Sequence, residues 1–199
     1  RRHDVRATFF LANEPTTRGD HALDASWQPY WAERSREGHA FGSHTWRHGS
    51  FVRDIDHGVT YRPQFPATGV ETLDAQGVCA ELDRVDVAFR AATGRALDPL
   101  WRAPGGRTTP KALSAARACG YTHVGWAPAG FLGDELPSER YPNRALVDTA
   151  VAKLRDGDIM MMHLGIWSRR DPYAPMLDEL LTRLKARGFC FATLRERAP

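Results

Sequence analysis

VCAELDRVDVAFRAATGRALDPLWRAPGG, residues 78–106, decides the fold class. Its first half places Val78, Leu82, Val85 and Phe89 at the three-to-four spacing of one helical face, and Gly94 is the residue type that ends such a helix. Its second half, PLWRAPGG, is a short apolar run stopped by one proline and two glycines, the pattern of a strand running into a loop. Another short apolar run, HAFGSH at 39–44, comes before the helix. A helix-length connection between two short strands is what parallel pairing requires.

The same alternation extends in both directions. VRATFFLA (5–12) reads as a strand, and WQPYWAERSREG (27–38) as a helix ending at Gly38. TPKALSAARACG (109–120) reads as a helix with Thr109 as its cap and Pro110 as its first residue. YTHVGWA (121–127) follows as a strand, 144–157 as a helix, DIMMMHLG (158–165) as a buried strand, 175–188 as a helix and FCFATL (189–194) as a last strand. This pattern predicts a single α/β domain, either a barrel or a doubly wound sheet. There is no G-x-G-x-x-G after a strand and no G-x-x-x-x-G-K-[ST], so the nucleotide-binding versions lose support. Residues 51–76 break the alternation; rich in Pro, Gly and polar residues, they read as a long surface loop and a candidate for facing substrate.

Composition narrows the function. The 199 residues are 42% hydrophobic and 26% charged, a globular balance. The net charge is +3, with 27 basic residues scattered among 24 acidic ones, and Arg1–Arg2 and Arg169–Arg170 are pairs rather than a stripe. Nucleic-acid binding is not indicated. No segment approaches the roughly 20 apolar residues of a membrane span. Cys79, Cys119 and Cys190 form no metal or redox motif and read as small buried side chains. The chain enters a strand almost at once and reads as cut at its N-terminus, so the missing signal sequence does not set a compartment.

In α/β folds, sites form beyond the C-terminal ends of strands. His44, Arg102, Trp126 and His163 each fall at such an end in the pattern above. His44 and His48 stand four apart in GSHTWRHGS (42–50), a helical-turn spacing that lets two imidazoles grip one cation or simply leaves two histidines on a surface turn. A metalloprotease H-E-x-x-H motif carries its glutamate base after the first histidine; Thr45 stands there, so a base has to come from elsewhere. His163, at the end of an apolar run, is either a hydrogen-bonded core residue or an acid or base in a half-buried pocket. Arg102 suits either a structural ion pair or the holding of a reacting carboxylate, and Gly105 and Gly106 behind it let backbone N–H groups approach a ligand. Trp126 is core or sugar platform, and Met161 lines core or a small pocket.

Taken together and in order, VRATFFLA, GHAFGSHTWRH, WRAPGG, YTHVGWA, MMH and LKARGFCFATL resemble the polysaccharide deacetylase family, the NodB-homology domain of carbohydrate esterase family four. The resemblance runs along almost the whole chain. It implies a distorted (β/α) barrel of about seven strands and a metal-dependent hydrolase that removes acetyl groups from N-acetylated, in some members O-acetylated, sugars. By the same resemblance His44 and His48 bind a divalent metal ion, zinc first, with cobalt, nickel or manganese as alternatives. Arg102 orients the base, the N–H of Gly105 helps hold the oxyanion, and His163 protonates the leaving amine. Met161 replaces a leucine beside the acetyl methyl, and Trp126 lies in the substrate region. The resemblance points to a carbohydrate partner and favours the bacterial cell envelope or secretion, with the cytoplasm left open.

Two departures stand out. The family's paired aspartates, a base and a third metal ligand, belong to a first strand that this reading expects upstream of Arg1. Its aspartate–tryptophan motif is blurred in GWAPAGFLGDELPS, which offers Trp126 and a displaced Asp134 or Glu135. Two alternatives follow: a sugar-binding barrel without catalysis, or a metal-dependent amidase on a non-sugar substrate.

Overall fold

The computed structural model describes residues 2–166 and 168–197, and divides into two compact units. Arg1 of the N-terminal basic pair lies outside the described residues.

The larger unit is built from Arg6–Val124 and the segment that begins at Ala192. Its centre is a four-stranded parallel sheet of β1 (Thr8–Leu11), β2 (Ala40–Ser43), β6 (Leu100–Trp101) and β7 (Thr122–His123), in that spatial order. Helix α1 (Gln28–Arg36) connects β1 to β2, α2 (Ala75–Thr93) precedes β6, and α3 (Pro110–Ala118) connects β6 to β7. The alternation in the sequence therefore does specify parallel pairing. The α2 helix starts where the Asp74 side chain accepts from the Gly77 N–H at 2.8 Å, and it stops at Gly94, whose φ of +71° is the left-handed conformation that glycine adopts without penalty. Thr109 caps α3 by accepting from the Ala112 N–H at 3.2 Å.

Between β2 and α2 lies a second sheet. β3 (Ser50–Ile55), β4 (Gly58–Arg62) and β5 (Glu71–Leu73) pair antiparallel in sequence order. The long surface loop expected at 51–76 is thus half strand. Its alternation is visible in retrospect, since Phe51, Val59 and Tyr61 are buried against Val78, Leu82 and Trp101 while Val52, Arg53 and Arg62 face out. A second cluster places Leu11, Trp31 and Phe41 against Val85 and Phe89 of α2. Cys79 and Cys119, 40 residues apart in sequence and read above as separate small buried side chains, are joined as a disulfide that ties α2 to the end of α3.

The smaller unit, Gly125–Phe191 with the first residues of the chain, has α4 (Asn143–Lys153) and α5 (Leu177–Ala186) around a core of Leu132, Val147, Leu154, Tyr173, Leu180 and Leu184. The strand expected at 158–165 is reduced to one bridge, Met161 with Phe131. Pro128 has no N–H to donate and opens a 3-10 turn, so the neighbouring segment offers no continuous ladder. The strand expected at 189–194 is also absent, because the backbone N–H groups of Thr193 and Leu194 go to side chains, Glu196 Oε2 at 2.6 Å and Thr8 Oγ1 at 2.9 Å. The expected barrel of about seven strands therefore appears as a mixed α/β fold with one parallel and one antiparallel sheet among the described residues. No helix among them is long and apolar enough to cross a membrane.

Candidate active site

In the parallel sheet Ser43 is level with Trp101, so the residues that follow them, His44 and Arg102, leave the same edge together. The His44 imidazole lies with Nδ1 2.7 Å from the Arg102 carbonyl oxygen. A ring nitrogen that faces a carbonyl carries the proton, so Nε2 is the lone-pair nitrogen of the neutral ring. His48 is placed in the same way, Nδ1 lying 2.7 Å from Gln64 Oε1. The two rings are 4.8 Å apart between centroids. Glu14 Oε1 lies 3.6 Å from His48 Nε2.

The turn that brings the rings together is not the helical turn the spacing suggests. Residues 44–49 form a tight non-helical turn in which Thr45 and His48 have φ of +63° and +50°. Such left-handed residues cost about 1–2 kcal/mol each unless their surroundings hold them. Here the buried carboxylate of Glu81 does the holding. It accepts from Arg47 Nε at 2.6 Å, from the Arg47 N–H at 3.0 Å and from the Tyr61 hydroxyl at 2.8 Å, and the Glu81 carbonyl accepts from the Trp46 N–H at 2.7 Å. The Gly49 N–H closes the turn on Thr45 Oγ1 and Tyr61 Oη, both at 3.0 Å. Burial works against the Arg47 charge, but its hydrogen bonds to Glu71 and Glu81 outweigh it and hold the guanidinium above its usual range. Gly49 has no room for a side chain, since a Cβ there would sit 2.2 Å from the Tyr61 ring. Gly49→Ala is expected to cost about 1–3 kcal/mol in urea unfolding, the range for overpacking a filled site.

Arg102 is buried, lies over the Phe10 ring at 4.4 Å and donates from Nε to the Val124 carbonyl at 3.1 Å. Burial pulls its guanidinium down to about 10, which leaves it a cation at neutral pH. His123 accepts from the Ala103 N–H at 3.2 Å, and burial followed by the Arg102 charge pushes its imidazole below the ordinary value, keeping it the neutral acceptor this bond needs. Gly105 sits in an exposed 3-10 turn with φ +60°, a backbone that glycine accepts freely.

In the smaller unit, His163 follows the Met161 bridge by two residues. Its N–H donates to Asp134 Oδ2 at 2.6 Å, and its Nδ1 lies 3.2 Å from Asp134 Oδ1. Asp134 is 3% exposed, so this carboxylate is fixed under the ring, while Glu135 lies 3.6 Å from Nε2. The sequence left Asp134 and Glu135 as displaced alternatives; in the structure Asp134 holds the ring. Met161 is buried, and Trp126 is half-buried three residues beyond β7 rather than at a strand end. His21 and Asp24 form an exposed pair, and His57 lies in the β3–β4 connection.

A family model described as polysaccharide deacetylase matches residues 1–124, which hold both sheets, the histidine turn and Arg102.

The chain belongs to the polysaccharide deacetylase family.

Membership in the polysaccharide deacetylase family supports a hydrolase role, and solved structures agree on the fold. A family 4 acetyl xylan esterase from Clostridium thermocellum, in complex with a cobalt ion, superposes with a TM-score of 0.70 at 19% identity, over 98% of this chain and 78% of that one. A peptidoglycan N-acetylglucosamine deacetylase gives a TM-score of 0.72 at 18% identity, over 98% and 76%. A CE4 family pseudoenzyme from Bacillus anthracis gives 0.68 at 19% identity, but this chain spans only 56% of it. Among curated proteins none matches the chain.

The two histidines fit a polysaccharide deacetylase metal site as far as they go. Both turn Nδ1 toward an acceptor, the arrangement that fixes a ligating imidazole and leaves Nε2 as the ligand atom. No group of three or more His, Cys, Asp or Glu side chains assembles a cation site among the described residues, so the pair would supply two ligands of such a site. Sequence reasoning missed Glu81 and Gln64. Glu81 looks like any acidic residue of an amphipathic helix, and Gln64 lies in a segment read as loop.

Proposed function

We propose that the chain is a polysaccharide-deacetylase catalytic domain of distorted (β/α) barrel type that hydrolyses acetyl groups from N-acetylated, and in some substrates O-acetylated, carbohydrate. The reading rests on the paired imidazoles of His44 and His48, each with Nδ1 engaged by an acceptor at 2.7 Å. They hold a divalent cation, zinc first, with cobalt, nickel or manganese as alternatives. Bound there, the cation supplies Lewis acidity, polarising the acetyl carbonyl and making water a far stronger acid.

The remaining steps fall to the chain's own groups. The Arg102 cation orients the carboxylate that takes the proton from the attacking water. The Gly105 N–H donates to the developing oxyanion, a contribution of roughly 3 kcal/mol for one well-aimed donor. His163 passes a proton from Nε2 to the departing nitrogen, since an amide nitrogen leaves only as the neutral amine. Asp134 keeps the other ring nitrogen protonated and stabilises the charged ring. Met161 packs beside the acetyl methyl and Trp126 against the sugar.

Acetate release from N-acetylglucosamine oligomers, measured with bound-metal analysis of the same sample, tests this. Metal-dependent release supports the deacetylase. Bound sugar without release supports the second reading, a sugar-binding barrel without catalysis.

A further inference from the structure

Outside the motifs of the family, the side chain that touches a candidate metal ligand most directly is Gln64. It belongs to the segment between β4 and β5, which carries no motif. We infer that Gln64 is a positioning residue for His48, its amide oxygen fixing the Nδ1–H tautomer so that Nε2 is the nitrogen offered to a cation. The inference rests on the metal-site reading above.

Four observations place it. Gln64 Oε1 lies 2.7 Å from His48 Nδ1. The Gln64 and Phe65 backbone N–H groups both donate to the Arg47 carbonyl, at 3.0 and 3.1 Å, so the histidine turn itself anchors the backbone that delivers the amide. The Phe65 ring lies nearly parallel to the His48 ring, 17° between planes and 6.0 Å between centroids, which restricts the plane of the imidazole. The antiparallel sheet brings this segment back to the turn: Ser50, just after the turn, pairs with Arg62, just before Gln64. A histidine with one nitrogen held by an acceptor is locked in tautomer and orientation, and losing such a partner typically weakens metal binding about 10–100-fold.

Gln64 is exposed, so its substitution leaves the core intact. Gln64→Leu removes the acceptor, whereas Gln64→Glu keeps an oxygen there that at neutral pH can only accept. Zinc affinity by competition with a chromophoric chelator is expected to fall about 10–100-fold in Gln64→Leu and to hold or tighten in Gln64→Glu. In the metal-free protein at pH 8, 15N–1H correlation of the imidazoles should show His48 protonated at Nδ1 in the unaltered chain and in Gln64→Glu, and a mixture in Gln64→Leu. Affinities of both variants within twofold of the unaltered chain, where His44→Ala abolishes binding, overturn the inference while leaving the metal site standing. If the unaltered chain binds no zinc, the functional reading fails and the tautomer measurement decides: an Nδ1–H signal lost in Gln64→Leu upholds Gln64's role, and an unchanged one overturns it.

Discussion

His44→Ala and His48→Ala are expected to abolish stoichiometric metal binding, while His163→Ala keeps the metal and loses turnover by about 100- to 10,000-fold, the range for one general acid. The reason is positional. The first two rings stand on one tight turn with centroids 4.8 Å apart, so removing either leaves a single imidazole, too few protein ligands to hold a cation at micromolar concentration. The His163 ring is held by Asp134 through its backbone N–H and Nδ1 and is no part of that turn. Its loss should appear in kcat rather than in metal content, and more severely for amides than for acetate esters of alcohols, whose leaving oxygens need protonation less. Inductively coupled plasma analysis of the three variants, beside acetate release, separates the roles. Equal metal loss in all three would defeat the assignment.

Glu81→Ala is expected to destabilise the protein by about 3 kcal/mol, the lower end for breaking a buried ion pair. At 4% exposure the carboxylate has no water to replace its partners. Its removal strips acceptors from the Arg47 N–H and guanidinium and from the Tyr61 hydroxyl, although Arg47 keeps Glu71 and Tyr61 stays near Thr45. The midpoint of thermal unfolding should fall by roughly 6–12 °C for a chain of this size. The turn it braces carries two left-handed residues, so metal affinity should fall with it. Glu81→Gln, which keeps one oxygen for the Arg47 or Tyr61 donor, should lose less. Calorimetry of the two variants tests this, and a loss under about 1 kcal/mol for alanine would show that the turn holds itself.

Periodicity and strand ends took the sequence far. The face of Val78, Leu82, Val85 and Phe89, the stop at Gly94 and the cap at Thr109 are local signals, because a helix is decided by neighbours three and four residues away. Parallel pairing followed, and with it the position of His44 and Arg102 beyond the ends of adjacent strands. The spacing of His44 and His48 was legible too, although its mechanism was not: a helical turn was expected, and a strained tight turn is present.

What the sequence could not determine depended on distant partners. The 51–76 segment became a sheet because its Phe51 and Tyr61 found Trp101 and Val78 to pack against. The 158–165 run, strand-like in composition, lost its ladder to Pro128 some thirty residues away. Asp134 rather than Glu135 lies under His163, and Glu81 and Gln64 reach the histidine turn from 33 and 16 positions beyond His48. Sequence determined that His44 and Arg102 stand at the ends of adjacent strands, since that is set by local pattern. Only tertiary structure decided which buried carboxylate and which amide hold the histidines, because a hydrogen bond across the fold leaves no periodic trace in the chain.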